Sequence, residues 1–581
     1  MEPRPLINAL LEQVSELAKG YPKKPINIIF EAPPGYGKTV GAIFLFGELL
    51  KQGVVSAHCH VLPLRAIVRD FYECKLLNAL GGGNLEACEM RGGDGSILID
   101  IRNLFENLGL SKEDIAYQMG EVIEIDRKGK SPLFDARYVV TTLDSFLYNF
   151  FKFPVKELLS IRKHYAIPRL RIFLSSIYFD EAHMVLEESE DARLRTAVRE
   201  MIEVISKSGI PLIISSATMS DDLIKSLIHG IKMGGVVVTL GTDDREEGNI
   251  VYVRDQDFID KASRVKWSIK TIYDRDLEDK VNEETSKGFK VFVASDTVRD
   301  AIERYKRLRK SSEYEIILLH GKLTRRDRNI ALNKLRKHMR GSKPVVVVST
   351  SVMEAGVDMS FDVLISDVSR VPSLIQRAGR VCRDLECEEA PVYVVKDKSD
   401  GDVVEFLEKN ENISLRIPLD YHGVKGYKSL LNRFPTLLEN SVDPDLRRLS
   451  TSLYVDMWAL NSILRGYEYS PVRAPILELI LEDFEGVEDS LSVSVNVVNE
   501  LISSNCVKNV VAVCDDERKF EVICDVNEIV QRSKSNLKLN LASYMKKILN
   551  YLKKEARCSE LVGLMIKREC YINGIGLTTV R

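Results

Sequence analysis

At 581 residues, with 45% hydrophobic and 29% charged content, the chain has the make-up of a soluble globular protein of three or four domains. A net charge of −3 excludes a chain-wide basic field, so any nucleic-acid site must be a local groove. The ten cysteines contain no C-x-x-C pair, and Cys382 and Cys387 have no second pair at metal-ligand spacing; reduced thiols in a cytoplasmic protein without zinc are expected.

In chain order, the first expected element is a helix over Glu2 to Lys19, with Leu6, Leu10, Leu11, Val14 and Leu17 as its apolar stripe. Met1 to Pro5 carries proline and charge with no apolar core after it, and no uncharged run reaches membrane-spanning length. Neither a signal peptide nor a membrane partner is expected. Ile26 to Phe30 reads as a buried strand and Val40 to Leu50 as a helix. Between them lies Ala32-Pro-Pro-Gly-Tyr-Gly-Lys-Thr39. Strand, glycine-bearing turn, Gly37-Lys38-Thr39 and helix are the context of a phosphate-binding loop. Its backbone N–H groups and the helix N-terminus face the phosphates, which brings in Pro34, Gly35, Tyr36 and Gly37. Lys38 would reach the β- and γ-phosphates of ATP, and the Thr39 hydroxyl would ligate Mg²⁺.

Ser56 to Leu62 is the next strand, and Arg65 follows its carboxyl end, where open α/β sheets bind ligands; a charged surface turn is the plainer alternative. Residues 81–135 carry no motif. Val139 to Thr142 is a strand running into Leu143-Asp144-Ser145, where Thr142 could hold a backbone phosphate or simply cap a helix. Ser176 to Phe179 ends in Asp180-Glu181-Ala182-His183. Asp180 could hold Mg²⁺ and Glu181 could take a proton from the attacking water; two acids after a strand also make an ordinary cap, and the phosphate loop favours the former. Leu212 to Ser215 leads to Ser216-Ala217-Thr218, and Val236 to Leu240 is a further strand. The polar stretch Thr242 to Gly248 marks a boundary, giving a first domain over 1–243.

The strand–helix alternation then restarts. Val291 to Ala294, Ile316 to Leu319, Val345 to Val348, Val363 to Ile365 and Val392 to Val395 argue for a second parallel sheet over 244–400. It has no phosphate loop. It carries Glu354-Ala355-Gly356-Val357-Asp358 and Gln376-Arg377-Ala378-Gly379-Arg380-Val381-Cys382-Arg383. Arg380 and Arg383, three apart, would share a helix face and could clamp a γ-phosphate held by the facing domain. Residues 401–470 are expected to be a mainly helical linker containing Trp458, and 471–581 a C-terminal α+β domain. In the latter, Ser492 to Val497 reads as a half-buried strand, Val510 to Val513 and Phe520 to Ile523 as a hairpin, and Leu537 to Lys554 as an amphipathic helix.

Taken together, APPGYGKT, FDEAH, SSAT, STSVMEAGVD and QRAGRVCR, in that order, resemble the motif set of superfamily 2 helicases over residues 1 to about 400. The resemblance implies an α/β fold of two tandem RecA-like parallel-sheet domains that bind ATP between them. Thr142-Leu143-Asp144-Ser145-Phe146 and the run Val352 to Arg383 resemble the helicase of type I CRISPR interference. That family implies 3′-to-5′ travel on single-stranded DNA marked by a guide-RNA surveillance complex. None of the eight histidines is followed by aspartate, so the chain resembles the split form, whose HD nuclease is a separate partner. By matching position, Gln376, Arg380 and Arg383 would sense the γ-phosphate, and Gly356 and Asp358 would lie near the ribose. His183, Ser216 and Thr218 would couple hydrolysis to movement. Arg65, Thr142, Ser295, Thr350 and Ser351 are candidate DNA-backbone contacts. Arg4-Pro5-Leu6-Ile7 stands where that superfamily often carries an adenine-reading glutamine. The ATP motifs do not choose the strand's sugar, so an RNA helicase or ribonucleoprotein remodeller and a nucleotide-gated DNA clamp remain alternatives.

Overall fold

A computed structural model of the full chain describes residues 3–81, 94–119, 129–151, 166–186, 192–231, 234–311, 314–354, 359–435, 476–483, 489–514, 519–525 and 558–577. Gly356, Asp358, Trp458 and the expected helix Leu537 to Lys554 lie outside these residues.

The first lobe is one nine-stranded sheet. Its strands are β1 (Asn27–Glu31), β2 (Ala57–Leu62), β3 (Ile115–Gln118), β4 (Tyr138–Thr142), β5 (Ser175–Phe179), β6 (Leu212–Ser216), β7 (Val236–Gly241), β8 (Arg245–Glu247) and β9 (Ile250–Arg254). They lie in the order β3-β4-β2-β5-β6-β1-β7-β9-β8, parallel except for the β8–β9 pair. β1 is buried along its whole length, which is why it reads as a continuous apolar run rather than an alternation. Helix α1 (Pro5–Ala18) starts on a proline at its first position and buries Leu6, Ile7, Leu10 and Val14. Leu6, Leu10 and Val14 are spaced by four and share a face; each fully buried aliphatic contributes about 1.5–3 kcal/mol. That stripe packs beside helix α2 (Lys38–Lys51), and Ile7 touches Gly41 of α2.

The first lobe runs past the expected boundary at 243. β9 extends β7, and Phe258, Ile259 and Ala262 of the following helix join the same core as β1. The polar hairpin at 242–248 is an edge turn within the sheet, and the lobe closes at Arg264.

The second lobe is a six-stranded, wholly parallel sheet. It contains β10 (Lys266–Ile272), β11 (Val291–Ala294), β12 (Glu315–Leu319), β13 (Val345–Ser349), β14 (Val363–Ser366) and β15 (Glu389–Val395), in the order β10-β15-β14-β11-β13-β12. Both sheets are covered on two faces, each face having its own apolar cluster.

Residues 401–435 are not a mere linker. After the helix Gly401–Lys409 the chain crosses back, with Leu415 in the second lobe's core and Ile417 in the first lobe's. Tyr427 then donates its hydroxyl to the Ala217 carbonyl at 2.9 Å, and the Lys428 ammonium bonds both oxygens of Glu31 at 2.7 and 2.8 Å.

The accessory region is a five-stranded mixed sheet: β16 (Ile476–Leu481), β17 (Ser490–Ser494), β18 (Val507–Cys514), β19 (Lys519–Asp525) and β20 (Cys558–Ile566), ordered β17-β16-β20-β18-β19. The expected hairpin is the antiparallel β18–β19 pair. The expected strand over Ser492 to Val497 ends at Ser494, because a helix over Val495–Ser503 takes over. The expectation of reduced thiols fails for five described cysteines, of which Cys74 is one. Cys382–Cys387 and Cys506–Cys570 are disulfides, their Cα atoms brought to 5.8 and 5.9 Å by a turn and by the packing of the C-terminal strands. Among the described residues no helix is long and apolar enough to cross a membrane.

Candidate nucleotide site between the lobes

The phosphate loop begins where β1 ends. Gly35 holds φ +71°, a conformation that L side chains resist, and Gly37 caps α2 in the left-handed region. This leaves the N-terminus of α2 open toward the loop, an anion-binding arrangement. The Tyr36 side chain turns away: it is buried, donates to Asp255, and accepts from the Leu6 amide at 3.2 Å. Tyr36 therefore serves the loop through its backbone while its ring anchors α1.

Lys38 is 5% exposed, donates to the Ala32 carbonyl at 3.2 Å and stands 3.6 Å from Glu181. The Thr39 hydroxyl donates to Asp180 Oδ2 at 3.0 Å. Asp180 also accepts from the Ser215 hydroxyl and the Glu181 amide, and His60 Nε2 lies 3.7 Å away. A hydroxyl and a carboxylate side by side, both hard oxygen donors at a loop that favours anions, fit a Mg²⁺ ion. Glu181 holds φ +51°, an uncommon conformation for a non-glycine residue that is stored at functional sites.

The two neighbouring carboxyls are driven in opposite directions. Burial pushes Asp180 up, but the His60 hydrogen bond, the His60 and Lys38 charges and the Thr39 hydroxyl outweigh it, and its pKa ends low. Burial pushes Glu181 up, the Asp180 charge adds to this, and Lys38 and Arg380 only partly offset it, so its pKa ends high. One acid is set to stay charged and ligate; the other is set to exchange a proton. Burial and the Lys38 charge bring His183 down to about 3, so its ring is neutral, with Nδ1 2.7 Å from the Ser216 hydroxyl. Ser216 Oγ also accepts from the Thr218 amide at 3.2 Å.

From the second lobe, Gly379 meets this loop: a Cβ there would lie 2.8 Å from Pro34 Cβ. The helix Val371–Ala378 carries Gln376, buried, with its Nε2 unpartnered among the described residues. Arg380 and Arg383 do not share a helix face as expected, because the helix stops at Ala378. The chain turns at Gly379, and Arg380 and Cys382 bond Phe361 as an isolated bridge. Arg380 still faces the seam; its Nη2 donates to the Glu354 carbonyl at 2.5 Å and its charge acts on Glu181. Arg383 is half-buried, its amide donating to Ser360 and its carbonyl accepting from Arg416.

Sequence reasoning left out Arg377, His60 and Arg416. Arg377 ties Glu354 to Asp296 at 2.7 Å each and is a structural post of the second lobe. It lay inside a quoted motif; His60 and Arg416 had no local signal.

The candidate strand contacts divide. Thr142 is buried and caps a helix, its hydroxyl accepting from the Ser145 amide; Ser295 is fully buried and accepts from Arg304; Thr350 is buried. The hydroxyls of Thr142 and Ser295 thus already accept a bond within the fold, while Thr350 makes no side-chain cap bond. Ser351 is exposed. Arg65 opens helix α3 (Arg65–Asp70), where it donates to Ser492 at 2.6 Å and lies 3.4 Å from Glu478. Arg325 approaches the same Glu478 at 3.8 Å, and the charges of Arg325, Arg69 and Arg65 add to burial in lowering the pKa of Arg328. A local basic cluster thus gathers at the carboxyl ends of both sheets, beneath the accessory domain. That domain is fastened to the second lobe by Tyr571 on Thr324 and Asp327, and by the Ile575 carbonyl on His320 at 2.8 Å.

Residues 287–386 match the family model "CRISPR-associated nuclease/helicase Cas3, C-terminal". A CRISPR-associated helicase Cas3 of Thermoproteus tenax is 25% identical over 393 residues, covering 66% of this chain and 58% of that protein. A CRISPR-associated nuclease/helicase Cas3 of Streptococcus thermophilus is 24% identical over 382 residues, covering 61% and 39%. The chain thus spans less than two thirds of the length of these relatives. Among solved structures, T. fusca Cas3 with ATP superposes with TM-score 0.56 at 14% identity, covering 85% of this chain and 64% of that one. This likeness shows the fold, two RecA-like lobes. In sequence the chain is thus similar to Cas3 helicases.

Proposed function

We propose, from the premise that this chain is a relative of the Cas3 helicases, that it is an ATP-driven motor on single-stranded DNA. It travels 3′ to 5′, opens duplex marked by a guide-RNA surveillance complex, and passes the strand to an HD nuclease on a separate polypeptide. The observation that carries the reading is the meeting of two half-sites at one seam: Gly379 packs on Pro34, and the Arg380 charge acts on Glu181.

In this reading the amides of the loop and Lys38 hold the phosphates of ATP. Thr39 and Asp180 would hold Mg²⁺, which when bound neutralises charge on the phosphate oxygens. Glu181, with its raised pKa, takes the proton of the attacking water. Arg380, with Arg383, stabilises the charge spreading over the transferred phosphoryl group, and Gln376 offers to the same site a buried amide that is unpartnered among the described residues. Loss of the γ-phosphate removes the shared anion, and the lobes swing apart. His183 and Ser216 relay that change, since their hydrogen bond joins the end of β6 to the acid pair. The strand runs over Arg65, Arg69, Arg325 and Arg328, contacts that read backbone rather than sequence.

The test is ATP turnover with single-stranded DNA, with single-stranded RNA and with neither, beside displacement of a strand from tailed duplexes. DNA-stimulated hydrolysis with displacement from 3′-tailed substrates is expected. Stimulation by RNA alone overturns the DNA reading, and hydrolysis without displacement points to a nucleotide-gated clamp.

A further inference from the structure

Arg416 occupies the one position between Leu415, in the second lobe's core, and Ile417, in the first lobe's. Its side chain is 2% exposed. Nη1 donates to the Gly379 carbonyl at 3.1 Å and Nη2 to the Arg383 carbonyl at 2.9 Å, so it grips both ends of the turn that carries Arg380. Its Nε–H has no acceptor among the described residues. The guanidinium also lies on the phosphate loop, where a Cβ added to Gly35 would meet Nη2 at 2.9 Å.

The two other deeply buried arginines of the second lobe are paired with carboxylates: Arg304 with Asp367 and Asp274, Arg377 with Glu354 and Asp296. Arg416 makes no ion pair among the described residues. An uncompensated buried charge costs several kcal/mol. Burial, with the charges of Arg383 and Arg4, pushes its pKa down to about 9. An anion arriving at the loop would relieve that cost.

We infer that Arg416 is a positioning residue of the nucleotide site: it seats the Gly379–Arg383 turn on the phosphate loop, and its buried charge is completed by the triphosphate of ATP. This rests on the ATP reading above and adds a third arginine to it, one that favours ATP over ADP.

The experiment titrates the full chain with fluorescent ATP and ADP analogues, comparing wild type, Arg416→Gln, Arg416→Lys and, as control, Lys38→Ala. Wild-type binding that is lost in Lys38→Ala secures the site; its absence overturns the ATP reading and this inference with it. With the site secured, Arg416→Gln should weaken ATP binding about tenfold to a hundredfold and ADP binding much less. Arg416→Lys keeps the charge without the fork, so KM for ATP should stay within about threefold while kcat falls. Unchanged ATP-to-ADP preference in a folded Arg416→Gln overturns the inference, even if its melting temperature drops. Should that variant not fold, wild-type kcat in Arg416→Lys overturns it instead.

Discussion

The two sides of the seam handle charge differently. In the first lobe each charged group of the site already has its complement within the lobe: Lys38 beside Glu181, Asp180 under Thr39 and Ser215. In the second lobe Arg377 is neutralised internally, while Arg416, with no ion pair among the described residues, is held by backbone carbonyls. Carbonyls orient a guanidinium without cancelling it. The first lobe is therefore a finished cradle, and Arg416 brings the second lobe's positive charge against it.

The largest expected effect tests that contrast directly. Arg380→Ala should lower kcat about 10³- to 10⁵-fold with ATP binding retained, because the lost charge acts on the transition state. Turnover like wild type, read by phosphate release, would break the comparison. Next, Glu181→Gln should cost about 10²- to 10⁴-fold in kcat. Since the base must be deprotonated and its pKa is raised by burial and Asp180, kcat/KM of the wild type should fall with decreasing pH earlier than an ordinary glutamate would dictate. An acid limb at or below the ordinary carboxylate range would refute the inverted acid pair. The smallest effect sharpens the contrast from the first-lobe side. Lys428→Met leaves the buried Glu31, among the described residues, with its Thr239 hydrogen bond alone, so unfolding in urea should show a loss of about 1–3 kcal/mol with little change in kcat.

What the sequence disclosed follows the same division. The cradle was legible because strand, turn and helix are contiguous, so Ala32 to Thr39 carries its own geometry. The parallel strands were legible because burial on both faces leaves continuous apolar runs such as Ile28 to Phe30 and Val345 to Val348. The arginine turn was misread because helical spacing at Arg380 and Arg383 was overridden by a tertiary bridge to Phe361. Thr142 and Ser295 could not be assigned from sequence, because a hydroxyl at a strand end serves a cap or a buried arginine as readily as a phosphate. Arg416 left no trace, since its role comes from contacts with Gly379 and Gly35, distant in the chain.

The crossing at 415–417 has a mechanical consequence. With adjacent side chains embedded in opposite lobes, the two bodies cannot draw apart there without pulling an aliphatic out of its core. That point is a fulcrum. Displacement about it grows with distance, so in the proposed motor a small change at the phosphate loop would be geared up into a longer travel at the basic rim under the accessory sheet.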